Sequence, residues 1–289
     1  MTDSFEPKSC FYESQGLRLH YVDWGNEAAP ALVLLHGGRD HCRTWDWVAR
    51  ALRPHFHIMA ADLRGHGDSE WPKGSSYSMA DHVYDLTRMA AAVGVKQMSI
   101  VGHSFGGMIS SVYAGAFPQH VVRLAIIDGA FNPRSSTLPI EQQFVRWAAE
   151  LNRTAAMVPR RYRSIEEAAA RMKERNTRLT PQLAMHLARH AVKKLADGTY
   201  IWKYDPTQRV NPPYKLTVED LIALRQRIAC PTLLLRAGDS IAPDPAVNGI
   251  LGNFKHAEQK VISGAGHWVH HDKLDVVVAE LRAFLGVSG

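Results

Sequence analysis

The run Gly102-His103-Ser104-Phe105-Gly106-Gly107 sets a serine among glycines, after an apolar stretch at 98–101 and before a helical stretch at 108–117. A serine on a sharp strand-to-helix turn stands exposed at the C-terminal edge of a sheet. Flanking glycines let the strand and helix come close. Such a hydroxyl is a nucleophile once a base takes its proton. Among 15 histidines, His267 is the expected base. It lies in the glycine-rich run Gly264-Ala265-Gly266-His267-Trp268, just after an apolar stretch ending near Ser263. Parallel strands release their loops at one edge, so His267 can reach Ser104. His270 and His271 are rivals expected on the start of the following helix.

The base needs a carboxylate to fix its tautomer and to stabilise the imidazolium. Asp239, in Arg236-Ala237-Gly238-Asp239-Ser240, is the expected partner. Asp128 ends another apolar stretch at an equivalent edge position and is expected to brace the loop that follows. Asp244 is a third, more distant candidate. A tetrahedral oxyanion needs two aimed N–H groups. Phe105 should supply one and Gly38, in His36-Gly37-Gly38-Arg39, the other, on the reasoning that glycine permits close approach. His36 reads as a loop brace.

These residues need a sheet to hold them. Short apolar runs at 31–35, 58–61, 98–102, 124–127, 232–235 and 259–262 alternate with helical patterns, which is the pattern of a parallel sheet covered on both faces. Residues 11–15 and 17–24 read as a hairpin turning at Gly16. Ser78 with Asp81, Ser164 with Glu167, Thr180 before Pro181, and Thr217 with Asp220 are helix starts. Asp272 is expected to open the last helix. The alternation breaks at 131–229, where helical patterns occur without a convincing buried strand.

The chain has 289 residues, with 46% hydrophobic and 21% charged residues, which argues against a disordered or fibrous chain. Its length allows one large domain or two small ones. Cys10, Cys42 and Cys230 are odd in number and widely spaced, so neither a disulfide framework nor a zinc site is expected. The first ten residues have no apolar core of a secretion signal, and no apolar run approaches the ~20 residues of a membrane helix. A cytoplasmic protein is expected, with no cofactor, no nucleic-acid partner and no membrane association. Oligomeric state is open. His186 and His190 are four apart on a helix but lack the glutamate of a zinc-protease motif, and read as a solvated face. His55 and His57 have no third ligand.

Together these residues resemble the α/β-hydrolase superfamily over nearly the whole chain. The matching pieces are His36-Gly37-Gly38, the run from Asp62 through Arg64, Gly65 and Gly67 to Ser69, the Ser104 turn, Gly238-Asp239 with Pro243, and Gly266-His267. The resemblance implies a doubly wound, mostly parallel eight-stranded sheet whose second strand is antiparallel. It implies that 131–229 is a helical cap inserted between the sixth and seventh strands of a core formed by 1–130 and 230–289. It gives the Asp62–Ser69 run a structural role only. Haloalkane dehalogenases and epoxide hydrolases of this fold use an aspartate nucleophile, so Ser104 disfavours both.

The expected activity is therefore that of a serine esterase acting on a small carboxylic ester through an acyl-enzyme. Lactonase, amidase or C–C bond hydrolase chemistry would use the same triad, although Arg39-Asp40 after the glycines weakens the C–C reading. A small-molecule receptor without turnover, and cofactor-free oxygenation or perhydrolysis, are readings of other classes. Phe131, Trp147 and Trp268 are candidate pocket aromatics. The net charge of +6 is uneven. Residues 131–229 carry 18 Lys and Arg against 9 Asp and Glu, a net of +9, and the rest carries −3. A knot at Arg160, Arg161 and Arg163 lies within that basic segment. Either it is a solvated face or it draws anionic substrates to the lid.

Overall fold

The computed structural model describes residues 5–74, 77–132, 138–210 and 212–287. In chain order the strands are β1 (Lys8–Ser14), β2 (Leu17–Asp23), β3 (Ala31–Leu35), β4 (His57–Ala61), β5 (Met98–His103), β6 (Val121–Ile127), β7 (Val192–Lys194), β8 (Tyr200–Trp202), β9 (Thr232–Ala237) and β10 (Ala257–Ile262). Eight of them form one sheet in the order β1-β2-β4-β3-β5-β6-β9-β10. β2 runs antiparallel to both its neighbours, and all other pairs are parallel. The expected sheet is therefore present, with its one reversed strand.

The helices are α1 (Asp46–Leu52), α2 (Met79–Val93), α3 (Phe105–Ala116), α4 (Ile140–Ala155), α5 (Ile165–Arg175), α6 (Pro181–Ala191), α7 (Val218–Arg227), α8 (Val269–Asp272) and α9 (Leu274–Leu285). Alternation along β3 shows how they cover the sheet. Val33 and Leu35 join Leu86 and Met89 of α2 and Ile109 and Tyr113 of α3 on one face. Leu32 and Leu34 join Val48 and Leu52 of α1 and Val277 and Leu281 of α9 on the other. Strands buried on both faces read as continuous apolar runs for this reason.

Helix starts at Ser78, Ser164, Thr180 and Thr217 are capped by those side chains, with full capping boxes at Ser78–Asp81 and Thr217–Asp220. Asp272 differs from expectation. It ends the short α8, and its carboxylate accepts from the Gly266 N–H at 2.7 Å, while α9 begins after Lys273 without a side-chain cap.

The stretch between β6 and β9 departs from the expected all-helical insertion in two ways. It contains the antiparallel ribbon β7–β8, whose three-residue strands are too short for period-2 alternation to register. Its last helix, α7, also packs on the sheet layer. Gly115 of α3 abuts the Leu224 carbonyl, and Arg227 Nε donates to the Gly115 carbonyl at 3.1 Å. Packing thus returns the chain to the sheet near Thr217 rather than at 230. The rest of the stretch has a small core of its own around Tyr162, Ala168, Leu179, Leu187 and Val192.

Candidate active site

β5 ends at His103, and Ser104 turns the chain directly into α3 with φ 52° and ψ −115°. This is a strained backbone for a residue with a side chain. The surroundings hold it there: the Ser104 N–H donates to the Ile127 carbonyl at 2.9 Å, and Gly129 packs against the Ser104 backbone. A Cβ at Gly106 would collide with the Leu35 carbonyl, so the helix can approach β3 only with glycine there.

The Ser104 hydroxyl donates to His267 Nε2 at 2.9 Å. His267 Nδ1–H donates to Asp128 Oδ2 at 2.6 Å. The carboxylate on the base is therefore Asp128 and not the expected Asp239. Asp128 follows β6 directly with φ 45°, its side chain is 2% exposed, and it also accepts from the Ser240 hydroxyl at 2.6 Å and the Ala237 N–H at 3.2 Å. Asp239 lies two residues past the end of β9, is 48% exposed, and pairs with Arg178 at 2.7 Å. The reason is positional. β6 and β9 are adjacent parallel strands that open at the same edge, and β6 is the one beside β5 and its serine. Asp244 pairs with Arg236 at 3.2 Å.

The oxyanion loop also differs in detail. The close approach that requires glycine falls at Gly37, where a Cβ would lie 3.1 Å from Ser104 Cβ and 3.0 Å from His103 Nδ1. A Cβ at Gly38 would meet nothing within 4 Å, so Gly38 borders open space. Phe105 is the first residue of α3, so its N–H has no acceptor within the helix. His36 is the brace expected of it: Nδ1–H donates to the Gly37 carbonyl at 2.6 Å and Nε2 accepts from the Leu63 N–H at 3.0 Å. Burial lowers its pKa and keeps the ring neutral for that acceptor role.

Behind the base stand the ring of His103, to which the sequence reading gave no role, and that of the rival base His270, buried in α8 at the start of the C-terminal helices. His103 Nε2–H donates to the His267 carbonyl at 2.8 Å and so fixes the backbone that carries the base. The His103 ring packs against the rings of His267 and His270, with centroids 4.8 and 4.7 Å away. Burial, then the charge of His267, holds the His103 pKa well below the usual imidazole value. In Asp40, next to the oxyanion loop, burial pushes the carboxyl up to about 7 against the bonds from the His41 N–H and Thr44 Oγ1.

The run from Asp62 to Ser69 is structural, as expected. Asp62 accepts from His20 Nδ1, the Cys42 N–H and the Asp68 N–H at 2.7, 2.7 and 2.9 Å. A Cβ at Gly67 would overlap that carboxylate, which explains the glycine.

Of the candidate pocket aromatics, Trp268 meets the His267 ring edge-on at 5.4 Å. Phe131 lines a small recess with Asp128, Gly129, Ala242 and Pro243. Trp147 packs edge-on to Phe144 of its own helix. His186 and His190 do not form a solvated face. His186 Nε2 meets Asp46 Oδ2 at 3.1 Å and its ring meets Trp47, which docks α6 on α1. His186, His190 and Asp46 could between them offer three ligand atoms to a metal. Arg43 Nε, however, already donates to both Asp46 oxygens at 2.8 Å.

No helix among the described residues is long and apolar enough to cross a membrane. Residues 30–274 match the family model for the alpha/beta hydrolase fold. The chain belongs to the α/β-hydrolase family, whose members are built around a nucleophile–histidine–acid arrangement of this kind. It is similar to the zebrafish (Danio rerio) serine hydrolase-like protein, with 24% identity over 272 residues, covering 91% of this chain and 83% of that one. It is 31% identical to mouse (Mus musculus) epoxide hydrolase 4 over 117 residues, which is 40% of this chain and about a third (33%) of that protein. Among solved structures, the hypothetical protein PA1622 of Pseudomonas aeruginosa superposes with a TM-score of 0.87 at 24% identity, covering 96% of this chain and 99% of that one.

Proposed function

We propose that this protein is a serine hydrolase that cleaves small carboxylic esters through an acyl-enzyme. The observation that carries the reading is the unbroken relay Ser104 Oγ to His267 Nε2 at 2.9 Å and His267 Nδ1 to Asp128 Oδ2 at 2.6 Å. His267 takes the Ser104 proton as Oγ attacks the ester carbonyl, and Asp128 stabilises the imidazolium. The N–H groups of Phe105 and Gly38 hold the tetrahedral oxyanion. His267 then passes its proton to the departing alkoxide and the acyl-serine remains. In the second half His267 deprotonates a water, which attacks the acyl carbon. The proton returns to Ser104 Oγ and the acid leaves.

The partial match to an epoxide hydrolase does not redirect this reading, because position 104 is a serine and not the aspartate such chemistry uses. Helices α4, α5 and α6 and the ribbon β7–β8, all within the expected cap, act in it as the cover over the site. Arg178 of that stretch bonds the Gly264 carbonyl at 2.9 Å, in the loop that carries His267.

The test is a panel of p-nitrophenyl esters, lactones and amides with the wild type and Ser104→Ala, together with fluorophosphonate labelling. Turnover abolished by the substitution, and one label per chain on Ser104, are expected. Full activity in Ser104→Ala defeats the mechanism, and no turnover of any member defeats the function.

A further inference from the structure

Three groups among the described residues bring three metal-ligating side chains together, and two of them are already saturated. In His20, Cys42 and Asp62, both ring nitrogens of His20 are bonded, Nε2 with Ser9 Oγ at 2.9 Å and Nδ1 with Asp62 Oδ2 at 2.7 Å. In Asp46, His186 and His190, Arg43 holds both carboxylate oxygens. The third group, Asp40, His103 and His270, is different. One carboxylate oxygen and one ring nitrogen from each histidine lie within 4.8 Å of one another. Nδ1 of His103 and Nδ1 of His270 are both buried and have no hydrogen-bond partner. Buried polar atoms are nearly always bonded in folded proteins, so two orphaned imidazole nitrogens beside a carboxylate call for an explanation.

The neighbouring bonds leave lone pairs on those nitrogens. His103 Nε2 faces the His267 carbonyl at 2.8 Å, which can only accept, so Nε2 carries the hydrogen and Nδ1 of the neutral ring the lone pair. Thr44 Oγ1 directs its hydrogen to Asp40 Oδ2 at 3.1 Å. His270 Nε2, 3.4 Å from the same oxygen, is therefore the donor there, and its Nδ1 again keeps the lone pair. The His270 ring is held in place, stacked on Trp45 at 4.6 Å and set against the His103 ring at 4.7 Å. The His41 N–H fixes Asp40 Oδ1 at 2.9 Å. Outer bonds of this kind orient ligands before the ion arrives. Asp40 is half-buried and follows the exposed Gly38 and Arg39, so an ion can reach the group from solvent. Two imidazoles and a carboxylate are a ligand set for Zn²⁺ and its neighbours Co²⁺ and Ni²⁺, with a fourth position left for water. A shift of about an ångström brings the three donors to the spacing around a four-coordinate ion.

We propose that Asp40, His103 and His270 form a binding site for a divalent transition ion of the Zn²⁺ type, and that the bound ion inhibits the base beside it. His103 links the two sites. Its Nε2–H holds the His267 carbonyl, and its ring packs 4.8 Å from the His267 ring. Turnover requires His267 to become an imidazolium. A dication held on the next ring repels that charge, so loading the site slows the reaction. The inhibitory role rests on the serine-hydrolase reading, and the site itself does not.

The experiment titrates chelator-treated protein with Zn²⁺ by calorimetry and with Co²⁺ by visible absorption. It uses the wild type, Asp40→Asn, His270→Phe and, as a control in the Asp46 group, His190→Gln. The wild type and His190→Gln should bind one ion at least about tenfold more tightly than Asp40→Asn or His270→Phe. The Co²⁺ spectrum should report nitrogen and oxygen ligands, without the thiolate charge-transfer band that Cys42 would add. Asp40→Asn keeps the shape of the side chain and carries the test if His270→Phe fails to fold. One equivalent of Zn²⁺ should lower kcat on p-nitrophenyl butyrate by about tenfold or more in the wild type, and EDTA should restore it. Affinities unchanged by Asp40→Asn, a loss of binding in His190→Gln, or a thiolate band overturns the site. Tight binding that leaves kcat unchanged overturns the inhibitory role. If no ester is turned over, the hydrolase reading fails, and the two titrations alone decide the site.

Discussion

His267 Nδ1 and Asp128 Oδ2 lie 2.6 Å apart, and Asp128 is held by two further donors on a side chain 2% exposed. A base whose acid is this well fixed depends on it for tautomer and orientation. Asp128→Asn should keep the fold and KM while lowering kcat by about 10³–10⁴. Asp239→Asn removes an exposed ion pair and should change kcat by less than about tenfold. Steady-state kinetics of both variants on one p-nitrophenyl ester decide it, and the reverse ranking refutes the assignment.

The N-terminus of α3 is packed to the limit of its glycines. Gly106→Ala would push a methyl group into the Leu35 carbonyl and should destabilise the protein by about 1–3 kcal/mol. Gly38→Ala, with open space around it, should cost far less. Urea unfolding of the two variants checks the contrast, and equal losses would show that the α3–β3 contact is not limiting.

Arg64 is fully buried and forms a fork with Asp85, Nε to Oδ2 at 2.7 Å and Nη2 to Oδ1 at 2.6 Å. Removing one member leaves the other charge buried, at a cost of about 3–5 kcal/mol. Asp85→Ala should approach that loss, and Arg64→Met/Asp85→Leu should be less damaging than the sum of its single variants. Additive losses in chemical denaturation would count against a coupled pair.

Acid should unfold this protein early. Burial lowers the pKa of His36, His82, His103 and His270, and brings His41 and His66 to about 3 and His190 and His271 to about 4. A depressed folded pKa means that the unfolded chain binds the proton first. The stability these rings contribute is present above the unfolded value near 6.5 and is lost as pH falls toward 3–4. Each lost group contributes a slope of up to about 1.4 kcal/mol per pH unit. Asp40, raised to about 7, acts in the opposite sense between pH 7 and 4, but it is one group against eight. The Tm should fall steeply between pH 6.5 and 5, and a flat Tm by calorimetry over that window contradicts the assignment.

How far the sequence carries can be judged at particular residues. Ser104 and His267 were legible because each sits in a glycine-rich turn after an apolar strand, and a strained turn at a sheet edge needs those residue types. The capped helices were legible because caps are local. The acid was not. Asp128 and Asp239 both follow apolar strands that open at one edge, and the choice depends on which strand neighbours β5 and which way a side chain turns, facts set by register and packing. The membership of α7 in the sheet layer hangs on Gly115 meeting the Leu224 carbonyl, a contact across more than a hundred residues. The ribbon β7–β8 escaped because three-residue strands carry no period. The arginine knot could be read only as two alternatives, because sequence clustering says nothing about the carboxylates Asp197 and Glu167 that pair with it.

Arg178 has a consequence of another kind. One guanidinium, 43% exposed, bonds Asp239 and the Gly264 carbonyl, and so joins the stretch after β6 to the loop of the base. Its partner Asp239, relieved of catalytic duty by Asp128, is free to serve as the strike plate of this latch. Because Arg178 and Asp239 are both open to water, this ion pair contributes little and salt should weaken it further. Losing this one pair would not free the stretch, which is also joined to the sheet domain through His186 to Asp46, Asp205 to Tyr77 and Lys203 to Asp68. What it would free is the backbone at Gly264, three residues before the base.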